Sequence, residues 1–265
     1  MKFKIIFTLF NIVIIFSFII IFFMPFIMLG WEYTRGFWAS NWYLPVIFIA
    51  IMAILNAYFI SNWKLFTLLE REDWKSILSY TYDKLNSGKI KKQYIKIFIN
   101  AALVNSDLES IKKVKELVWE KRPSWKEEFV LYFGLPYLLE NEPAEMIGYY
   151  KDFLEIKTNE RQWVLWNYAF AQMLSKKFDE AKIQLKELGE IAEDPLVLAL
   201  TGYMVNGFSA AEDQDMKTLE NKIKTSLLEK YPREKWKAAV EKSREHVQAA
   251  VLSKLIIDAE NWLYS

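Results

Sequence analysis

The sequence predicts an all-α protein in two parts: two transmembrane helices, then an α-solenoid of helical hairpins that ends in a long C-terminal capping helix. Three observations predict it. Residues 5–31 form an uncharged run of 27, and residues 36–63 a second one of 28. From Lys64 onward charged residues are frequent, and helix-start signals recur every 34 to 36 residues. Three basic residues and one acidic residue precede Lys64, whereas 31 basic and 32 acidic residues make up the rest. Neither part has the basic excess of a nucleic-acid binder.

The first span covers residues 5–29, where 21 of 25 residues are Ile, Leu, Val, Phe or Met. About 20 such residues cross a hydrocarbon layer some 30 Å thick. Nineteen are Ile, Leu, Val or Phe, so insertion gains about 6–11 kcal/mol before the small costs of Thr8, Asn11, Ser17 and Pro25. A cleaved secretory signal is the rival reading, because Lys2 and Lys4 give a basic start. The apolar run exceeds the usual length of about 7–15 residues, however, and lacks an A-x-A-like exit.

The second span covers residues 43–62. Between the spans lie Trp31, Tyr33, Phe37, Trp38, Trp42 and Tyr43, rings suited to the headgroup layer and predicting a tight turn that hugs it. Lys2 and Lys4 precede the pair and Lys64, Arg71 and Lys75 follow it, with Arg35 between. That bias places both ends in the cytoplasm. Neither span contains a charge, which argues for an anchor over an ion path. The expectation is a multi-pass protein of the inner cell membrane, with a membrane hairpin at residues 1–63 and a cytoplasmic domain at residues 64–265.

The soluble part is read as a repeat. Ser106 with Glu109 and Ser124 with Glu127 have the spacing of capping boxes, and Asp194 before Pro195 is a capping carboxylate followed by proline at the first helical position. First helices are expected near Lys91, Trp125, Glu160 and Pro195, and their partners near Asp107, Pro143, Phe178 and Asp213. A small residue recurs at Ala101, Gly134, Ala169 and Gly202, four after an apolar one at Ile97, Val130, Leu165 and Leu198. Small residues admit a neighbouring helix, and Gly134 and Gly202 need such a reason because a helical Gly costs about 1 kcal/mol relative to Ala. Residues 65–86 read as a degenerate first unit, with Asp73 capping a helix 34 residues before Asp107. Pro232 opens one amphipathic helix reaching Trp262, with Trp236, Val240, Val247, Val251 and Leu255 on its apolar face, a terminal cap of the kind solenoids need.

Residues 162–188 resemble a tetratricopeptide repeat, a helix-turn-helix unit of about 34 residues. Leu165, Ala169, Phe178, Ala181 and Leu185 stand where that family favours large apolar, small, aromatic, alanine and large apolar residues, and residues 177–181 (Lys-Phe-Asp-Glu-Ala) are its most typical piece. Asp107, Ser110 and Met146 depart from the pattern elsewhere. The resemblance implies a concave groove that holds a peptide, faced by Trp163, Trp166, Asn167, Phe170 and Met173, with Asn167 contacting ligand backbone. Leu131 and Leu135 occupy the equivalent positions one repeat earlier. Aromatic stripes at helical spacing also serve as core, and Leu165, Tyr168 and Ala169 leave this helix apolar nearly all round.

Chemistry is sparse. Cys is absent and His246 is the single histidine, which deprives the chain of a thiolate nucleophile and of the usual zinc or di-iron ligand sets. Lys242 and Glu245 make His246 read as a solvated surface residue. Glycine-rich phosphate loops and Gly-x-Ser-x-Gly are missing. Glu212, Asp213 and Asp215 lack the central Gly and terminal Glu of a calcium loop and read as a helix-start cluster. Lys89, Lys91, Lys92 and Lys96 form a basic run that reads as a solvated face or, on the cytoplasmic side, as a contact for anionic lipid.

The expected function is therefore a membrane-anchored scaffold or adaptor, not an enzyme, without cofactor, metal or small-molecule substrate. Its array binds a protein or peptide, an integral membrane protein among the candidates. The alternative is an accessory structural subunit of a transporter or secretion complex, partnered through its transmembrane helices.

Overall fold

The computed structural model describes residues 3–158, 160–209, 213–244 and 246–265. Lys2, Glu212 and Glu245, invoked above, lie outside the described residues, as does the side chain of Lys242. Among the described residues the regular structure is all helical, and the chain divides into units at residues 1–106 and 107–265.

The first unit contains α1 (Phe3–Ser40), α2 (Tyr43–Ser61), α3 (Trp63–Glu70), α4 (Trp74–Asn86) and α5 (Lys92–Val104). Both α1 and α2 are long and apolar enough to cross a membrane. They pair antiparallel through aromatic contacts: Phe3 meets Phe59 at 5.9 Å, Phe7 meets Phe59 at 5.4 Å and Phe18 stacks on Phe48 at 4.7 Å. Polar side chains inside the helices are satisfied within their own turn, Asn11 donating to the Phe7 carbonyl and Asn56 to that of Met52. Each pairing spares an unmatched polar group in an apolar setting.

The tight turn expected between the spans is not what forms. Gly30 adopts φ 80°, ψ 177° and interrupts α1, a left-handed conformation that glycine takes without steric cost. Residues 31–40 then continue as helix, folding back so that Trp38 stacks on Phe22 at 4.7 Å and Trp31 meets Phe26 edge-on. Phe37 and Trp38 are half-buried by this return, while Trp31, Tyr33, Trp42 and Tyr43 stay exposed around the turn at Asn41 and Trp42.

After Asn62, α3 follows α2 directly. Asp73 caps α4 by accepting from the Ser76 N–H at 3.1 Å, as its spacing predicts. Hydrogen bonding from the Ser76 side chain and its N–H, helped by the nearby Arg71 charge, holds its carboxyl below the usual range. Leu65, Ile77, Leu85, Ile95, Phe98 and Ile99 form the core of this unit.

The second unit contains α6 (Leu108–Lys121), a 3-10 turn (Pro123–Trp125), α7 (Lys126–Leu139), α8 (Pro143–Lys151), α9 (Arg161–Leu174), α10 (Phe178–Ile191), α11 (Pro195–Ser209) and α12 (Gln214–Lys230). Consecutive helices from α6 to α12 pack on each other, and α7 also touches α9, α9 touches α11, and α10 touches α12. The expected starts all fall within two residues of the observed ones. The proposed capping boxes are corrected. Asp107, one residue after Ser106, accepts from the Ser110 N–H at 3.1 Å and caps α6. Ser124 lies inside the 3-10 turn that Pro123 opens, and no side chain caps α7. Asp194 bonds the Leu196 N–H at 2.8 Å, as expected.

A second periodicity emerges in the backbone. Glu72, Ser106, Asn141 and Lys176 all have φ between 52° and 59°, and each stands one residue before the N-cap of the next helix. None is glycine, so each turn accepts the strain of a left-handed residue with a side chain.

The long C-terminal helix is also corrected. Residues 232–262 as one straight helix would reach about 46 Å. Instead the chain forms α13 (Arg233–Ala239), α14 (Glu241–Arg244), α15 (Val247–Val251) and α16 (Ser253–Leu263). The buried positions explain the breaks: Trp236, Val240 and Ser243 follow one helical phase, whereas Gln248, Leu252, Ile256, Ala259 and Leu263 follow another. The five-residue step from 243 to 248 fits neither three nor four, and His246 takes an extended conformation to absorb it.

Gly134 and Gly202 are where helices come closest. A Cβ on Gly134 would lie 2.1 Å from the Tyr150 hydroxyl, and one on Gly202 would lie 2.3 Å from the Trp262 ring. Gly148 and Gly207 have open space. Gly134→Ala and Gly202→Ala should therefore each destabilise the fold by about 1–3 kcal/mol through overpacking, while Gly148→Ala and Gly207→Ala should stabilise it by about 0.5–1 kcal/mol. Thermal unfolding of the four variants checks this, and equal effects at all four would refute the packing account.

Candidate functional site

The seven residues expected to face a groove divide sharply. Leu131, Leu135, Trp163, Trp166 and Asn167 are buried, whereas Phe170 and Met173 are half-buried. Helix α9 sits between α8 and α10 with further contacts to α7 and α11, so most of its circumference is covered. Trp166 is fully buried, packs edge-on to Trp163 and stacks on Phe170 at 5.2 Å.

What closes over this face is the chain's own C-terminal segment. The Asn167 Nδ2 donates to the Trp163 carbonyl at 2.7 Å and to the Gln248 Oε1 at 2.5 Å. Gln248, fully buried in α15, uses its own amide nitrogen to reach the Tyr150 hydroxyl at 3.1 Å and the Leu131 carbonyl at 3.5 Å. One glutamine thus links α7, α8 and α9. Burial drives the Tyr150 hydroxyl well above its usual pKa, so it stays neutral, and the Gln248 bond acts in the opposite direction.

His246 stands at the edge of this contact and is not the solvated residue expected from its neighbours. Its ring stacks on Trp163 at 5.0 Å, nearly parallel. Its Nε2 lies 3.0 Å from the Glu160 carboxylate, and its Nδ1 accepts from the Gln248 N–H at 3.4 Å. With Nδ1 accepting, the neutral ring carries its proton on Nε2 and donates it to Glu160. Ser243, three residues earlier, donates to the Asp194 carboxylate at 2.7 Å. Hydroxyl and imidazole therefore engage separate carboxylates, and the arrangement serves to fasten the segment.

A cavity of about 400 Å³ opens between Glu160, Trp163, Glu193, Asp194, Ser243 and His246. Among the described residues no three or more His, Asp or Glu side chains are disposed to hold a metal ion. Three buried polar atoms of α9, Trp166 Nε1, Asn167 Oδ1 and Gln172 Oε1, have no hydrogen-bond partner among the described residues. Such atoms cost about 1–3 kcal/mol each; Trp119 Nε1 and Trp236 Nε1 in other helices are likewise without a partner among the described residues.

Sequence reasoning placed Trp163, Trp166 and Asn167 together and missed Gln248, Tyr150 and His246. A signal existed: Gln248 is a polar residue at an apolar phase, since positions 252, 256, 259 and 263 continue its stripe. Glutamine at such a position requires buried partners.

The sequence model of a family described as "Uncharacterised Treponema protein" matches residues 110–265, more than half of the chain. An uncharacterized protein of Treponema pallidum (strain Nichols) is 20% identical over 247 residues, covering 89% of this chain and 78% of that one. No solved structure matches. The chain belongs to this Treponema family.

Gln248→Ala removes the amide that joins the three helices and strands Asn167 and Tyr150. The expected cost is about 1–3 kcal/mol, with faster amide exchange at residues 249–252 and unchanged protection in α11, where Trp262 still covers Gly202. Unaltered exchange across residues 246–252 would contradict the role given to Gln248.

Proposed function

We propose that this member of the family is a membrane-anchored scaffold: α1 and α2 embed as a hairpin in the inner cell membrane, and the helices that follow present a protein-binding surface at the cytoplasmic face. The observation that carries the anchoring is the bare apolar surface of the hairpin. Large apolar side chains from Ile5 to Ile60 stand exposed, Ile27 at 78% and Ile54 at 68% among them. A soluble monomer rarely exposes an apolar patch beyond a few hundred Å², whereas hydrocarbon covers such a surface without cost.

The helical array is read as tetratricopeptide-like. Turns with a left-handed residue at 72, 106, 141 and 176 recur at intervals of 34 to 35 residues, in keeping with stacked hairpins, although the family model matched is not a tetratricopeptide one. The partner surface we favour is the accessible remainder of the α9 face, Phe170 and Met173, with Leu174 and Phe178 beside them, 41% and 47% exposed. Tethering raises local concentration, so modest affinity suffices. The alternative, an accessory subunit held through its membrane helices, draws on the same exposed hairpin. It predicts specific crosslinks from residues 5–60 to other membrane proteins.

Two experiments test the reading. Because the chain has no cysteine, a single introduced thiol reports topology: in whole cells Ser40→Cys should react with a membrane-impermeant maleimide, and Ser87→Cys only after permeabilisation. The reverse pattern refutes the orientation, and carbonate release of the protein refutes the anchor. For the surface, Met173→Gln with Phe178→Gln should abolish crosslinked capture of a partner while changing stability by no more than about 0.5 kcal/mol each. Unchanged capture would move the binding site elsewhere.

A further inference from the structure

The base of the hairpin encloses a cavity of about 520 Å³ whose walls come from two places far apart in the chain. Phe3 and Lys4 belong to the first turn of α1, and Trp63, Thr67, Glu70 and Arg71 belong to α3 and its C-terminal end. One wall is aromatic: Phe3 meets Trp63 edge-on at 5.5 Å, and Phe7, stacked beside Phe3, continues it to Phe59. The charged lining is Lys4, Arg71 and Glu70, and the Arg71 charge also acts on the Asp73 carboxyl just beyond it. The Thr67 hydroxyl is turned inward to the Trp63 carbonyl at 2.9 Å.

We propose that this cavity binds an anionic glycerophospholipid, with Lys4 and Arg71 pairing with the headgroup phosphate and an acyl chain lying along Phe3, Phe7 and Phe59. The proposal rests on the membrane reading above. Its level in the bilayer follows from the chain: Lys4 immediately precedes the apolar residues of the first span, and only Asn62 separates the end of α2 from the start of α3. That is the boundary where phosphates end and hydrocarbon begins. A guanidinium offers a planar fork that matches phosphate oxygens, and an ammonium adds a compact charge. Free phosphate gains nothing from the aromatic wall, whereas a lipid uses both walls at once.

The test is native mass spectrometry of the full chain in mild detergent, supplied with equal amounts of phosphatidylglycerol and phosphatidylcholine of identical acyl chains. The wild type should retain phosphatidylglycerol at least about tenfold more than phosphatidylcholine. Lys4→Gln with Arg71→Gln should bring the two to parity, Lys4→Arg with Arg71→Lys should keep the preference, and Lys89→Gln with Lys91→Gln should leave it intact. Equal retention by the wild type, or a preference surviving in the glutamine variant, overturns the site. Displacement of the lipid by millimolar inorganic phosphate overturns the lipid assignment. Recovery of the chain in the soluble fraction of lysed cells without detergent would instead overturn the membrane reading itself.

Discussion

Apolar surface must be covered, and this chain meets that demand in two ways. Removing apolar area from water is worth about 25 cal/mol per Å². In the second unit the coverage is internal: Trp166, Phe129, Phe133 and Leu185 lie fully buried among neighbouring helices. In the hairpin it is not, for the rings of α1 and α2 meet along one seam while most of their aliphatic residues face outward. Such a division is stable when the outward side meets hydrocarbon.

The same constraint shapes the C-terminal segment. Helix α9 is apolar around most of its circumference, and the segment around α15, which packs on α7, reaches it through Gln248 and His246 although the sequence there breaks helical phase. The short α15 buries Gln248 and Ala249, and bonds from Ser243, His246 and Gln248 to Asp194, Glu160 and Asn167 fix the register of the segment. A face that resembles a peptide groove is in this way occupied by the chain's own residues, and the accessible part narrows to its far end at Phe170 and Met173.

Much of the helical pattern was legible because the boundaries are written in local chemistry. Asp73, Asp194 and Asp213 carry capping carboxylates, and Pro143 and Pro195 open helices where a missing N–H costs nothing. Gly134 and Gly202 announced close approach, and Tyr150 and Trp262 are what approach them. The left-handed turns were not legible, since Glu72, Ser106 and Lys176 have ordinary side chains and are forced into shape by the helices they join. The break in the C-terminal helix was missed because Val247, Val251 and Leu255 suggested an apolar face one residue out of phase with the buried one. Trp163, Trp166 and Asn167, expected to face a groove, are buried in α9; periodicity carries no information about which distant segment covers them, and Gln248 lies 81 residues from Asn167.

The central claim is that residues 5–60 lie in lipid as an antiparallel pair. Single spin labels placed along both helices of this cysteine-free chain, in reconstituted bilayers, measure depth directly through their relative accessibility to oxygen and to a water-soluble nickel complex. The account predicts oxygen accessibility peaking near Phe16 on one helix and near Ile51 on the other, with nickel accessibility confined to the ends. Nickel accessibility that stays high throughout either helix would contradict it.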